Sequence, residues 1–152
     1  MRLCLIGYGN VGYGFIRVLL RHSSWLRERF GFSPKIVALH DLRRGTALSP
    51  SGLDLRALAK AWEENHNLSE LGESPARPDA FFVIQESQAD AVLELTPTDL
   101  STGERFTTQG PPEGSTAYSE LLQLLPAGGV AIQFQSSSTG SWFLTLWVMC
   151  FP

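Results

Sequence analysis

The sequence predicts an α/β fold in which a parallel sheet carries helices on both faces. Two short apolar runs, residues 3–6 and 35–39, are typical of buried parallel strands. The segment between them has helical periodicity, and a strand, a helix and a strand in succession make a βαβ unit with parallel strands. A chain of 152 residues is long enough for one domain with a buried core.

The first helix is predicted to begin near Val11 and to end before Gly31 and Pro34. Apolar residues recur along it at helical spacing, with arginines between them. Those positions are Val11, Phe15, Val18, Leu19 and Leu26. We therefore expect this side of the helix to pack on the sheet.

The remaining elements follow in order along the chain. Residues 43–52 are predicted as a turn-rich loop, because they contain two glycines and a proline. Residues 81–84 are compatible with a strand as well as a helix. Helices are predicted over residues 55–65, 79–86 and 116–125, and strands over residues 91–95 and 130–134.

Composition and charge exclude several classes of function. The net charge is −3, and the acidic and basic residues are scattered along the chain, so there is no basic stripe for nucleic acid. Cys4 and Cys150 lack the spacing of metal ligands, which argues against a metal site and a disulfide framework. No apolar segment approaches the ~20 residues of a membrane span, and no signal peptide is recognised. We expect a cytoplasmic protein.

A glycine motif directly follows the first strand. Gly7, Gly9 and Gly12 form G-x-G-x-x-G at the bend into the first helix, the setting of a dinucleotide-binding (Rossmann) fold. Gly7 permits the tight turn, Gly9 the approach of a pyrophosphate, and Gly12 close packing of the helix. The backbone N–H groups of Asn10 and Val11 would then face the phosphates at the positive end of the helix.

The end of the second strand supplies the next candidate residues. Asp41 stands where an acidic side chain binds the ribose hydroxyls of the adenosine. Arg43 and Arg44 follow at once and are suited to a 2′-phosphate. The acid and the arginines together leave NAD and NADP both open as the cofactor.

These motifs resemble those of homoserine dehydrogenases. Residues 7–14, G-Y-G-N-V-G-Y-G, are similar to the start of that family, and residues 94–104 resemble its second hallmark. The resemblance covers residues 1–104. It implies that Thr96, Pro97 and Thr98 border the nicotinamide and its ribose.

Beyond residue 104 the chain departs from the family pattern. One helix–strand unit is expected to be missing, which would bring the strands at 91–95 and 130–134 together or leave an unpaired edge. Gln109 takes the place of the family's lysine, and the substrate domain has no room in the chain. We therefore divide the chain into an NAD(P)-binding domain at residues 1–134 and a divergent apolar tail at residues 135–152.

No catalytic residue can be assigned from the sequence. Lys35 begins a strand, at the edge away from the cofactor, and Lys60 lies on a covering helix. His40 ends the second strand, on the adenine side, and is interpreted as structural or adenine-facing. Glutamine does not titrate, so Gln109 can hydrogen-bond a substrate but cannot accept its proton.

Three functions remain open at this point. The resemblance implies an oxidoreductase that interconverts homoserine and aspartate semialdehyde in amino-acid biosynthesis. A shortened relative could instead bind the dinucleotide without turnover. In the third alternative the apolar residues 142–151 dock on a partner, as a homo-oligomer or with a full-length subunit, rather than forming an edge strand on the core.

Overall fold

The computed structural model of the chain describes residues 1–75, 79–96, 130–136 and 142–148. In chain order, the elements of these ranges are β1 (Arg2–Ile6), α1 (Asn10–Phe30), β2 (Lys35–Asp41), β3 (Gly45–Leu48), α2 (Leu55–Glu63), a 3₁₀ turn (Leu68–Glu70), α3 (Ala80–Ser87), β4 (Ala91–Glu94), β5 (Val130–Ser136) and β6 (Trp142–Val148). The helix predicted over residues 116–125 lies outside the described residues.

Helix α1 ends where the sequence predicts. Gly31 adopts a left-handed conformation with φ of +63°, and its N–H donates to the carbonyl of Arg27 at 2.9 Å. The N–H of Phe32 donates to the carbonyl of Leu26 at 3.2 Å, which completes a glycine C-cap. The chain then enters β2, parallel to β1. The predicted βαβ unit is confirmed.

The buried face of α1 differs from the predicted one at Val18. Its side chain is 52% exposed, whereas Gly12, Ile16 and Leu19 are buried. Each residue turns an α-helix by about 100°, so Val18 lies about 200° around the axis from Ile16. The prediction was wrong because it centred the apolar face one residue too early.

The six strands form one sheet in the order β3-β2-β1-β4-β5-β6. The four inner strands are mutually parallel, as predicted, and the two outer strands run antiparallel to their neighbours. Strand β1 is thus flanked by β2 on one side and β4 on the other. The chain continues from β1 to β2 on one side of this pair and from β4 to β5 on the other, which creates a topological switch point at the carboxyl ends of β1 and β4.

The prediction of a loop over residues 43–52 is wrong in its middle part. Strand β3 turns back directly from β2 and pairs with it, with Ala47 opposite Leu39 and Leu48 opposite Ala38. A tight turn suffices for this connection because the two strands are antiparallel.

Helices cover both faces of the sheet, as predicted. Leu3 and Leu5 of β1 face α1 and α2 and share a core with Ile16 and Leu58. The alternate residue Cys4 faces α3 and belongs to a second core. Successive side chains of a strand point to opposite faces, so β1 is buried from both sides.

Strands β4 and β5 pair directly, with Ala91 opposite Val130 and Glu94 opposite Gln133. This is the closure expected if one helix–strand unit is missing between them, although the missing unit itself stays a prediction because residues 97–129 lie outside the described part. Strand β6 pairs with β5 along its whole length. Residues 142–148 of the predicted tail therefore form the edge strand of the sheet.

Within the described ranges, none of the helices combines the length and apolar character needed to cross a membrane. The same ranges hold no group of three His, Cys, Asp or Glu side chains suited to a metal ion. Cys4 is fully buried, and this burial raises the pKa of its thiol to about 12, although a hydrogen bond with Ser87 opposes the rise. Its thiol is neutral and structural.

Candidate functional site

The glycine loop lies at the switch point of the sheet. The N–H of Gly7 donates to the carbonyl of His40 at 2.7 Å, and the N–H of Leu95 donates to the carbonyl of Ile6 at 2.7 Å. The loop is therefore held between the carboxyl ends of β2 and β4. Ligands of open α/β sheets bind in the crevice at this place.

Gly7 makes the bend from strand to helix. Its φ is +94°, in the region that favours glycine, and a Cβ there would lie 2.8 Å from the nitrogen of Thr96. At Gly12 a Cβ would lie 2.8 Å from the carbonyl oxygen of Gly7. The first turn of α1 thus packs closely against the loop. The strand-to-helix bend that the motif predicts is confirmed.

The N-terminus of α1 keeps its donors available. Gly9 is the N-cap residue, no side chain caps the helix, and the first turn contains no acidic residue. The N–H groups of Asn10, Val11 and Gly12 have no carbonyl of the same helix to bond, because they belong to its first turn. A Cβ at Gly9 would meet nothing within 4 Å, so the approach to these donors is open. Such an end attracts an anion.

Asp41 ties the glycine loop to the turn after β2. One carboxylate oxygen accepts the N–H of Tyr8 at 2.8 Å. The other accepts the N–H groups of Arg43 at 2.9 Å and Arg44 at 3.0 Å. Three backbone donors thus converge on this one side chain. The residue lies where the sequence placed it, at the end of β2 and beside the loop.

A cavity of about 420 Å³ opens between these segments. Four parts of the chain line it: the glycine loop, the end of β2 with the turn that follows, the last turn of α2, and the residues after β4. Of the predicted site residues, Gly7, Gly9, Asp41, Arg43 and Thr96 lie in its wall. Asn10, Val11 and Gly12 stand at the adjoining helix end. Pro97 and Thr98 lie outside the described residues.

An aromatic cluster forms the wall on the α2 side. The ring of Trp62 meets Tyr8 edge to face at a centroid distance of 5.6 Å and stacks on Tyr13 at 5.3 Å. The guanidinium of Arg44 lies over the same indole, 4.2 Å from its centroid, in a cation–π contact. Burial raises the pKa of the Tyr8 hydroxyl well above its usual range, so that group is a neutral donor.

Two buried polar atoms of this cluster have no hydrogen-bond partner in the described part of the chain: the Tyr8 hydroxyl and Nη1 of Arg44. Buried donors are nearly always satisfied in folded proteins, since an unpaired one costs ~1–3 kcal/mol.

His40 is a buried histidine at the back of the cavity. Its Nδ1 lies 2.7 Å from the hydroxyl oxygen of Thr46, and its side chain is 3% exposed. Burial lowers the pKa of the imidazole, although the charges of Asp41 and Asp79 oppose that effect. The ring is therefore neutral near pH 7. Because His40 also lines the cavity, both predicted roles, structural and adenine-facing, stay predictions.

On the β4 side, Glu94 fixes the residue that follows the strand. Its side chain is buried, and Oε1 accepts both the N–H of Thr96 at 2.9 Å and the Thr96 hydroxyl. The threonine thus has a defined position at the cavity edge. The residue proposed to replace the family's lysine, Gln109, lies outside the described residues.

These features fit a dinucleotide. The closely packed glycines leave room for a pyrophosphate, the helix end supplies its donors, and Arg44 lines the cavity. The sequence pattern gives no sign that Trp62 and Tyr8 line the cavity. Both residues have the local pattern of ordinary core aromatics, and only the packing of α2 against the loop brings them to the cavity.

The chain matches known proteins in sequence. It is 27% identical over 157 aligned positions to the homoserine dehydrogenase of Methanocaldococcus jannaschii. That alignment covers 93% of this chain and 46% of the relative. It is 29% identical over 109 positions to the NAD(+)-dependent homoserine dehydrogenase of Pseudomonas canavaninivorans. This second alignment covers 70% of this chain and 30% of the relative. The chain thus spans less than half the length of these relatives.

No protein-family model matches the chain. Among solved structures, a protein from Archaeoglobus fulgidus assigned as a homoserine dehydrogenase aligns with a TM-score of 0.48 and 18% identity, over 63% of this chain and 28% of that one. The resemblance found in the sequence motifs is confirmed by the two sequence relatives.

Proposed function

Because the chain is a relative of the homoserine dehydrogenases, we propose that it is the NAD(P)-binding domain of an oxidoreductase of that type. The reaction proposed for the complete enzyme interconverts homoserine and aspartate semialdehyde, a step of amino-acid biosynthesis in the cytoplasm. One observation carries the proposal: the uncapped N-terminus of α1 opens beside a 420 Å³ cavity at the switch point of the sheet.

Each part of the site has a distinct task under this proposal. The backbone donors of Asn10, Val11 and Gly12 hold the pyrophosphate, and Gly9 lets it approach. The adenosine lies towards Asp41 and the arginines of the following turn. The nicotinamide half extends over β4 towards Thr96, and towards Pro97 and Thr98 beyond it.

The nicotinamide, when bound, supplies the hydride acceptor or donor. The residues of this chain orient that ring: Thr96 is fixed at the cavity edge by its two hydrogen bonds to Glu94. Proton transfer needs an ionisable group in reach of the substrate hydroxyl. His40 does not meet that need, because it lies on the adenosine side and its Nδ1 is engaged by Thr46. We therefore propose that this chain alone binds the cofactor without efficient turnover.

Titration of the purified chain with NADPH and with NADH tests the proposal. A saturable change in nicotinamide fluorescence with either nucleotide is expected, because the ring moves from water into the protein. No response to either nucleotide overturns the proposal. Homoserine-dependent reduction of NADP or NAD, measured on the same sample, decides between a catalytic chain and a binding module.

A different role, docking through the tail, is favoured only by the position of β6. This strand forms the edge of the sheet, and no further strand pairs with it among the described residues. An edge strand offers unpaired backbone groups to a second chain. Light scattering on the full chain and on a variant lacking residues 141–152 separates this role from nucleotide binding, since a docking strand makes the particle mass depend on the tail.

A further inference from the structure

We propose that β6 is the interface of a two-fold symmetric dimer, in which it pairs antiparallel with β6 of a second copy of this chain. The inference goes beyond the proposed function, because β6 lies two strands away from β4 and is not among the described residues that line the cofactor cavity. It gives the open edge of the sheet one defined partner.

The outer side of β6 is an open edge in the described part of the chain. The strand pairs with β5 through all seven of its residues, and no further strand lies beside it among those ranges. In an antiparallel pair, alternate residues turn their N–H and C=O groups away from the partner strand. The outward groups of β6 are therefore available to another strand.

The other edge of the sheet, β3, is covered by the chain itself. The N–H of Leu48 donates to the carbonyl of Glu73 at 2.8 Å, and the N–H of Glu73 donates back to the carbonyl of Leu48 at 2.8 Å. The N–H of Leu68 donates to the carbonyl of Arg44, just before β3, at 2.8 Å. Residues 68–73 thus block this edge, and pairing between copies is directed to β6.

The sequence of β6 carries none of the usual protections of an edge strand. Natural edges are shielded by charged residues, by proline or by a bulge. Residues 142–148 contain no charged residue and no proline, and their register with β5 runs without a bulge. A seven-residue edge of this kind is a template for pairing with another chain.

Two-fold symmetry determines how β6 meets its copy. When a strand pairs antiparallel with an identical strand about an axis normal to the sheet, one residue lies opposite itself. The overlap of the two strands is complete only when that residue is Thr145, the middle of β6. The opposing residues are then Trp142 with Val148, Phe143 with Trp147, Leu144 with Leu146, and Thr145 with its own copy.

These opposing residues are of the types that stabilise antiparallel sheets. An aromatic residue opposite a β-branched one, two aromatic residues opposite each other, and threonine opposite threonine are all favourable cross-strand pairs. The strand is thus nearly palindromic about Thr145. Because a two-fold interface requires one surface to fit itself, this pattern favours a second copy of the chain over an unrelated partner.

Sedimentation velocity of the full chain at several concentrations tests the dimer. The wild type should sediment with twice the mass of one chain at high concentration. Thr145→Lys and Thr145→Glu each place like charges directly opposite each other at the two-fold axis, and each should raise the dimer dissociation constant at least ~10-fold. An equimolar mixture of the two variants should recover the wild-type mass, because opposite charges then face each other.

Ser24→Lys and Ser24→Glu are the matched controls for the added charge. Ser24 is exposed on α1 and takes no part in the strand pairing. Both controls should keep the wild-type dimer, and circular dichroism establishes that every variant is folded. Titration of the same samples with NADPH should give the wild-type affinity throughout, because β6 is remote from the described lining of the cavity.

Each result decides for or against the dimer. A wild type that stays monomeric at every concentration overturns the proposal, and so does a particle larger than a dimer, because two-fold pairing uses the open edge of both copies. A wild-type dissociation constant in either Thr145 variant, a mixture that fails to associate, or equal losses in the Ser24 variants overturns it as well. Absence of NADPH binding in every sample overturns the proposed function and leaves the dimer standing.

Discussion

The backbone N–H of Tyr8 donates to the carboxylate of Asp41 at 2.8 Å, across 33 positions of sequence. This bond joins the glycine loop after β1 to the end of β2. The same carboxylate orders the turn after β2 through the N–H groups of Arg43 and Arg44. One side chain thus sets the relative position of the two segments that form the proposed cofactor site.

Replacing Asp41 by alanine should destabilise the fold markedly. Three backbone donors lose their acceptor. A hydrogen bond to a charged group contributes ~1.5–3 kcal/mol net, and the loss is smaller than the sum of three because water can reach the exposed donor of Arg43 and, in part, the other two. We expect a loss of ~2–4 kcal/mol in the free energy of unfolding, measured by urea denaturation.

Asp54→Ala provides the matched control for Asp41→Ala. The Asp54 side chain caps α2 by accepting the N–H groups of Arg56 and Ala57, at an exposed position. Removing an N-cap costs ~1 kcal/mol. A smaller loss for Asp41→Ala than for Asp54→Ala would show that Asp41 does not hold the two segments together.

Gly7→Ala should lower the free energy of unfolding by more than backbone strain alone would. Its φ of +94° is unfavourable for alanine, and the added Cβ would also lie 2.8 Å from a backbone nitrogen. Gly31→Ala separates the two causes, because Gly31 also has a positive φ but open space around it. We expect ~1–2 kcal/mol of destabilisation at Gly31 and clearly more at Gly7. Equal losses in denaturation experiments would contradict the close approach of the loop to β4.

The main elements of the fold were predictable because each is encoded locally. The apolar run at residues 3–6, the periodicity of α1 and the stop at Gly31 each depend on neighbours in sequence. The glycine motif identified the bend for the same reason. Parallel pairing of β1 and β2 then followed from their order along the chain.

Strand β3 was not predictable in this way. Only four residues form it, and two of these, Thr46 and Ala47, are buried side by side, so no alternation of polar and apolar residues is visible. Glycines and a proline around the strand suggested a loop. Its pairing with β2, rather than any pattern of its own, makes it a strand.

The contact between Arg44 and Trp62 has no local signal either. The arginine follows β2 and the tryptophan ends α2, so only the packing of that helix on the sheet brings them within 4.2 Å. The position of the arginine after Asp41 makes it a candidate for a phosphate in the sequence alone. The stacking of its guanidinium on the indole is visible only in the structure.

Gly9→Val should separate nucleotide binding from folding. A Cβ at this position meets nothing within 4 Å, and the backbone is extended with φ of −87°. The stability should therefore fall by only ~0.5–2 kcal/mol, the usual range for N-cap substitutions, because glycine is preferred over valine at an N-cap. The branched side chain would stand over the helix end, and the affinity for NADPH should fall at least ~10-fold, or ~1.4 kcal/mol.

Gly14→Ala is the control for Gly9→Val. It also has open space around its Cα but lies one turn farther along α1. Alanine there should raise helix stability by ~1 kcal/mol and leave binding unchanged. Unaltered NADPH affinity in Gly9→Val would place the nucleotide elsewhere and count against the cofactor site.

The buried His40 should make stability depend on pH. Burial lowers its pKa in the folded chain below the ordinary 6.5, so the unfolded chain takes up a proton at a higher pH than the folded chain does. The contribution of His40 to the free energy of unfolding is therefore fully present above about pH 6.5 and is lost as the pH falls below that value. The slope approaches ~1.4 kcal/mol per pH unit until the folded form also titrates. Urea denaturation at several pH values measures this slope.

His40→Gln supplies the comparison, because glutamine can keep a hydrogen bond to Thr46 but does not titrate between pH 5 and 8. His22 and His66 are present in both proteins, so their contributions cancel in the difference. The wild type should lose stability relative to the variant as the pH is lowered. Parallel pH profiles would mean that the imidazole gains its proton as readily in the folded chain as in the unfolded one, contrary to its burial beneath the cavity.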